Sequence, residues 1–228
     1  SCHLDIRLES LFYRGFFIIF RYMLWTKIIQ PYLLHFACSS KPIMMQRNKM
    51  ISKAKGIVLE IGFGSGLNLP FYDKKNIKKI IALEPSIEMQ KLASNKIKKT
   101  EIEIEFLTSF AENIPLESNS MDTIVCTYTL CSIPDTKLAL LEIKRVLKKD
   151  GKLLIIEHVK SPDYKINRFQ NRINPFWKFL AGGCHLNCDT KKELEETGFE
   201  TSSIEEMYIH GIPKFVGYNI LAELNNNN

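Results

Sequence analysis

Two short stretches hold the residues best suited to bind a charged, extended ligand. In "VLEIGFGSGLN" (58–68) the carboxylate of Glu60 stands two positions before Gly62, and Gly64 and Gly66 follow at alternate positions. In "KKIIALEP" (78–85) Glu84 and Pro85 close a second apolar run. Glycines let the backbone press against a ligand. An acid at the end of the next strand is placed to bind ribose hydroxyls. A dinucleotide fingerprint would need glycine at 62, 64 and 67, but position 67 is leucine, and Glu60 would repel a pyrophosphate. A ligand with an ammonium and a sulfonium but no phosphate removes the conflict, and S-adenosylmethionine has both. Glu60 is expected to attract its ammonium, directly or through water. The loop, including Phe63, is expected to carry its methionyl part, and Glu84 to accept hydrogen bonds from both ribose hydroxyls.

Further candidates follow along the chain. In "TSFAENIPL" (108–116), Phe110 and Ala111 offer apolar surface and Glu112 a polar contact for an adenine. Thr127 and Tyr128, at the end of another strand pattern, would face the reacting methyl, with Cys131 close behind on the acceptor side. His158 in "IEHV" and His185 in "GGCHLN" are the candidates for moving a proton. Each has a plainer alternative, His158 as an orienting group and His185 as a buried loop residue. Cys184, His185 and Cys188 have metal-binding side chains, but a complete zinc site needs a fourth ligand, so no metal is expected. Phe176 and Trp177 lie in a stretch (164–187) that reads either as a lid over the acceptor or as extra core.

The elements that must position these groups alternate. Strand patterns at 56–62, 78–85, 101–107, 121–130 and 152–159 are interleaved with helical patterns at 86–99 and 135–151, the latter closed by Gly151. A helix at 188–199 and two closing strands, at 201–211 and 214–224, complete the chain. This alternation predicts an α/β fold: a central, mostly parallel seven-stranded sheet with helices on both faces, Rossmann-like in plan. Residues 51–224 form that domain, residues 1–50 a separate N-terminal helical segment, and 225–228 a disordered tail.

The net charge of +6 is concentrated at the N-terminus. Residues 1–50 carry seven basic side chains against two acidic ones, which leaves +1 for the rest and argues against a nucleic-acid-binding face on the main domain. Residues 6–36 are rich in large apolar side chains, and Arg7, Arg14 and Arg21 recur at every seventh position. Such a helix either lies in a membrane surface with its arginines towards phosphates, or packs on its own domain with a basic outer stripe. No uninterrupted apolar run is long enough to span a bilayer. Six cysteines without an evident secretory leader read as reduced thiols, hence a cytoplasmic protein, peripheral on a membrane.

"VLEIGFGSGLN", "ALEPS", "AENIPL" and "EIKRVLKKDGKLLIIEH" together resemble the class I S-adenosylmethionine-dependent methyltransferases, in particular those sharing a domain with the ubiquinone/menaquinone biosynthesis C-methyltransferases. "VCTYTLCSIPD", "EHVKSPD", "INPFWKFLAGGCHLN" and "GIPKFVGYN" are similar to bacterial relatives of the methyltransferase-like protein 7 family, whose animal members are membrane-associated thiol S-methyltransferases. The resemblance spans about residues 28–222. It implies a cofactor site on Glu60, Gly62, Gly64, Gly66 and Glu84 and a small lipophilic acceptor, a thiol first. A phospholipid headgroup or quinone precursor is the alternative acceptor, and a non-catalytic membrane adaptor the alternative role. Two departures stand out: Arg14 and Arg21 interrupt the apolar anchor, and glutamate occupies position 84 where many relatives have aspartate.

Overall fold

The computed structural model describes residues 23–226. Seven strands form one sheet: β1 (Gly56–Ile61), β2 (Ile77–Leu83), β3 (Ile104–Leu107), β4 (Met121–Thr127), β5 (Leu147–His158), β6 (Glu200–Tyr208) and β7 (Tyr218–Asn225). Their spatial order is β3-β2-β1-β4-β5-β7-β6. The pairs from β3 to β5 are parallel, and β7 runs antiparallel to both β5 and β6. The helices are α1 (Gln30–Cys38), α2 (Lys41–Ile51), α3 (Ile87–Ile97), α4 (Thr136–Val146), α5 (Tyr164–Leu180), α6 (Thr190–Glu196) and the single turn α7 (Lys214–Gly217). Side-chain caps start three of them: Ser86 accepts from Met89 N, Asp135 from Leu138 N, and Asp163 from Lys165 N and Ile166 N.

Alternation along the central strands sorts side chains between two cores. Leu59 and Ile61 of β1 and Ile124 and Cys126 of β4 pack on one face with α4. Val58 and Val125 pack on the other with Met50 and Ile51 of α2 and Ala93 of α3. By the same alternation Glu60 and Thr127 fall on the α2 side. That face brings a buried cation to them, because Gln46 and Arg47 of α2 are buried too. The expected boundary after residue 50 is therefore misplaced: α2 is an integral layer of the domain.

Three further expectations need correction. The helix expected over 135–151 stops at Val146. The fully buried Leu147 is drawn into the sheet opposite Met121, and a register shift absorbs the residues up to Lys152, which pairs with Thr123. Gly151 thus lies within β5 rather than capping a helix. The expected tail begins too early. Asn225 ends β7, and the buried Asn226 donates from Nδ2 to Lys144 O and Leu147 O, tying the chain end to the C-terminus of α4. The last strand starts at Tyr218, since Lys214–Gly217 form a helical turn.

The segment Trp25–Ile29 is a π-helical turn that runs on into α1. Trp25 stacks on Phe179 (centroids 6.1 Å apart), and Gln30 Nε2 donates to Phe179 O and Leu180 O, so this segment docks on the end of α5. Its other face is apolar and exposed: Ile28, Ile29, Tyr32, Leu33 and Phe36 point outward, Phe36 at 78%. The arginine stripe of residues 7–21 lies outside the described residues. Among those described, no helix is long and apolar enough to cross a membrane.

Candidate functional site

The strand order reverses between β1 and β4, and the loops leaving those strands border a cavity of about 410 Å³. Gly62, Gly64 and Gly66 all take positive φ. A Cβ on Gly62 would stand 2.4 Å from two atoms of the Thr129 side chain, so the loop comes this close to β4's outgoing turn only with glycine there. At Gly64 the nearest atom to such a Cβ is 3.8 Å away, which leaves open cavity above it. Gly62 N and Phe63 N donate to Leu83 O, and Gly64 N donates to Glu84 Oε2 (2.8 Å). Glu84 Oε1 accepts from Ser86 N (2.8 Å). Its carboxylate therefore braces the loop against the start of α3 from behind the cavity wall, and each oxygen keeps a lone pair. Burial raises the Glu84 pKa, and the two backbone donors oppose that rise.

Glu60 is held by neighbouring side chains. It is 1% exposed and absent from the cavity wall; Oε1 accepts from Asn68 Nδ2 (2.9 Å) and Oε2 from Tyr72 Oη (2.7 Å). Burial pushes its pKa up to about 7, against the pull of those bonds and of Arg47. The charged group at the cavity is Arg47, whose Nη1 donates to Asn68 Oδ1 and Thr127 Oγ1, both at 2.8 Å. Its guanidinium also lies 5.2 Å from the centre of the Tyr128 ring. Arg47 escaped sequence reasoning because it stands in a segment read as separate from the domain.

Tyr128 adopts φ 56°, an uncommon conformation for a bulky residue. The turn is held by Tyr128 N donating to Ile156 O, and by Thr129 N and Leu130 N donating to Glu157 Oε1. This turn aims Tyr128 and Thr129 at the cavity and sends Cys131 behind them. The expected adenine-side residues are spread out. Ala111 is core, Glu112 Oε1 accepts from Asp135 N at 3.5 Å, and Phe110 and Pro85 are exposed outside the cavity wall; Met89 of α3 borders it instead.

The structure brings His158 in and leaves His185 out. His158 Nε2 lies 2.9 Å from Cys184 Sγ, which also receives a hydrogen bond from Trp177 Nε1 (3.4 Å) and one from Cys131 Sγ (3.5 Å). All four residues border the cavity. The Cys131 bond, then the His158 ring and Trp177, hold the Cys184 thiol below its ordinary pKa against burial. Burial works against a charged His158, yet the Cys184 sulfur beside it raises the ring's pKa. His185 is turned away: its Nδ1 lies 3.4 Å from Asn174 Nδ2, and its contribution is a backbone bond to Cys131 O. The metal-like trio is therefore Cys131, His158 and Cys184 rather than Cys184, His185 and Cys188. Phe176 faces outward at 68% exposure, whereas Trp177 forms cavity wall. Opposite the glycine loop, Leu34, Phe36 and Cys38 of α1 roof the cavity, and His35 Nδ1 meets Ser65 Oγ at 2.6 Å.

The open space over Gly64, the spare lone pairs of Glu84 and the unpartnered Tyr128 Oη fit a nucleoside with an amino-acid end. The methyltransferase domain family matches residues 59–155. Thiol S-methyltransferase TMT1B of Rattus norvegicus is 31% identical over 189 residues, covering 77% of each chain. Ubiquinone/menaquinone biosynthesis C-methyltransferase UbiE of Campylobacter jejuni is 34% identical over 110 residues, 48% of this chain and 43% of its own. In fold, a SAM-dependent methyltransferase from Thermotoga maritima superposes with a TM-score of 0.64 at 20% identity, covering 90% of this chain and 99% of its own. With that identity to TMT1B maintained over three quarters of its length, the chain belongs to the S-adenosylmethionine-dependent methyltransferases, in the family that holds the thiol S-methyltransferases.

Proposed function

We propose that the chain methylates the sulfur of a small lipophilic thiol and does so at a membrane surface. One observation carries this reading: among the described residues no carboxylate borders the cavity, while three thiols, two imidazoles and apolar side chains do. An amine or carbon acceptor wants a definite base. A thiol needs only to favour its thiolate, since a free thiol titrates near 8.5. The TMT1B relative supports the same acceptor class.

S-adenosylmethionine supplies a methyl group on a sulfonium, primed for displacement. Glu84 would take the ribose hydroxyls on its free lone pairs, and the glycine loop would carry the methionyl chain. Arg47, rather than Glu60, would meet the charged amino-acid end, through its carboxylate. Leu34 and Trp177, which line the cavity, would shield the reacting atoms from water. Tyr128 Oη and His158 Nδ1 are buried without a protein partner and are available to orient an acceptor. The membrane part rests on Phe36, which belongs both to the cavity wall and to the exposed apolar face of α1. An acceptor dissolved in lipid would therefore meet a continuous apolar path.

A series of straight-chain alkyl thiols tests the reading. Each buried methylene is worth about 0.8 kcal/mol, so kcat/KM should rise roughly fourfold per added carbon until the cavity is full. A flat series, or turnover restricted to amines or phenols, would remove the lipophilic-thiol assignment.

A further inference from the structure

We propose that Cys131, His158 and Cys184 bind a zinc ion whose fourth position opens to the cavity and receives the acceptor's sulfur. The three side chains come from separate elements: the turn after β4, the end of β5 and the loop after α5. All are buried, and their donor atoms lie within 4.8 Å of one another. Two sulfurs and an imidazole nitrogen are the donors zinc prefers. Tetrahedral zinc, with bonds of about 2.3 Å to sulfur and about 2.0–2.1 Å to nitrogen, sets its ligands roughly 3.8 Å (S to S) and 3.5 Å (N to S) apart. The Cys131 and Cys184 sulfurs stand 3.5 Å apart, close to that edge and far from the roughly 2.05 Å of a disulfide. His158 Nε2 and Cys184 Sγ at 2.9 Å need to open by about 0.6 Å to admit the ion.

Three protein ligands with an open fourth position is the arrangement of a catalytic zinc rather than a structural one. All three ligands border the cavity that receives the acceptor. On binding, the protons held by the two cysteines and by Nε2 go to solvent, and zinc takes the two thiolates and the unprotonated Nε2. An incoming R–SH occupies the fourth position and loses its proton to solvent. Its sulfur then forms the S–CH₃ bond as the donor's C–S⁺ bond breaks, and the resulting thioether, a weaker ligand, departs. No oxidant or reductant is required. The acceptor step rests on the thiol reading above; the ion site does not.

The test uses the full chain, reduced and stripped of metal, titrated with Co²⁺ as a visible probe and then with Zn²⁺ as competitor. One cobalt per chain is expected, with tetrahedral visible bands and thiolate charge transfer, displaced by one equivalent of zinc. Cys131→Ser and Cys184→Ser should each weaken binding at least 100-fold, and Cys188→Ser should leave it unchanged. Circular dichroism and S-adenosylmethionine binding show whether the variants remain folded, and His158→Gln supplies an independent ligand deletion. Octanethiol should shift the cobalt bands. Failure of the folded wild type to bind cobalt or zinc overturns the site. Bound cobalt with bands indifferent to octanethiol overturns the open fourth position. Thiol methylation undiminished in zinc-free protein overturns the metal's role and leaves the thiol reading standing. A shifted cobalt spectrum without methylation of any thiol removes that reading instead and leaves the site.

Discussion

Replacing Gly64 with alanine should separate the stability of the glycine loop from its use. At φ 56° an L-residue is strained by roughly 1–2 kcal/mol. The new methyl would meet nothing closer than 3.8 Å, so no repacking cost adds to the strain. For a chain of this size that amounts to a fall in Tm of about 2–8 °C. The methyl would fill cavity space assigned to the cofactor, and overpacking of that kind costs about 1–3 kcal/mol, or roughly 5- to 150-fold in Kd. Gly62→Ala is the contrast, because its Cβ would overlap Thr129 at 2.4 Å and should destabilise the unliganded protein more severely. Calorimetric titration with S-adenosylmethionine, beside thermal unfolding without it, reads both effects. Gly64→Ala with wild-type affinity, or with a Tm loss as large as that of Gly62→Ala, would refute the reasoning.

Glu60 makes the unliganded protein sensitive to pH. Below about pH 4.5 the group is protonated folded and unfolded; as pH rises towards about 7 only the unfolded chain releases the proton, so stability falls across that window, by about 3 kcal/mol in total. Burial also pushes Glu157 up to about 7, so urea unfolding from pH 4.5 to 7.5 should show both slopes together, and Glu60→Gln should remove about half of the total; an unchanged slope rejects the assignment. Arg47→Met removes two buried charged hydrogen bonds and should cost about 3–6 kcal/mol by urea unfolding; a loss below 1 kcal/mol would mean that Asn68 and Thr127 find other partners. Ile28→Glu with Tyr32→Glu should abolish flotation on liposomes while leaving turnover of a water-soluble thiol intact. Unaltered flotation would move membrane contact away from the α1 face.

How much of this was legible in the sequence depended on whether contacts were local. The glycine spacing and Glu84 could be read directly, because one loop and the strand end beside it contain them. The period-two pattern of β1 and β4 also places Glu60 and Thr127 on a common face. That pattern could not show that α2 would cover that face and bring Arg47 to Thr127, since the contact joins residues eighty positions apart. The Cys131, His158 and Cys184 cluster is invisible for the same reason: its members are tens of residues apart and no short motif holds two of them. Position 184 and position 185 look equally suited to chemistry in "GGCHLN". Only the path of the loop, fixed by His185 N donating to Cys131 O, turns the thiol inward and the imidazole away. The overlong helix at 135–151 misled because "LKK" prolongs the helical composition towards a glycine that reads as a stop, while the burial of Leu147 decides for the sheet. At the N-terminus, the described part of residues 6–36 docks on α5, as the packing reading expects, and leaves an apolar face exposed.

The central claim is that the cavity beside Gly64 delivers a methyl group to sulfur. It is tested most directly by giving the protein methyl-labelled S-adenosylmethionine with an equimolar mixture of octanethiol, octylamine, octanol and a hydroquinone, then identifying the labelled product by mass spectrometry. Label in methyl octyl sulfide, abolished by Glu84→Ala, is the expected result. Label on nitrogen, oxygen or carbon with octanethiol untouched would contradict it.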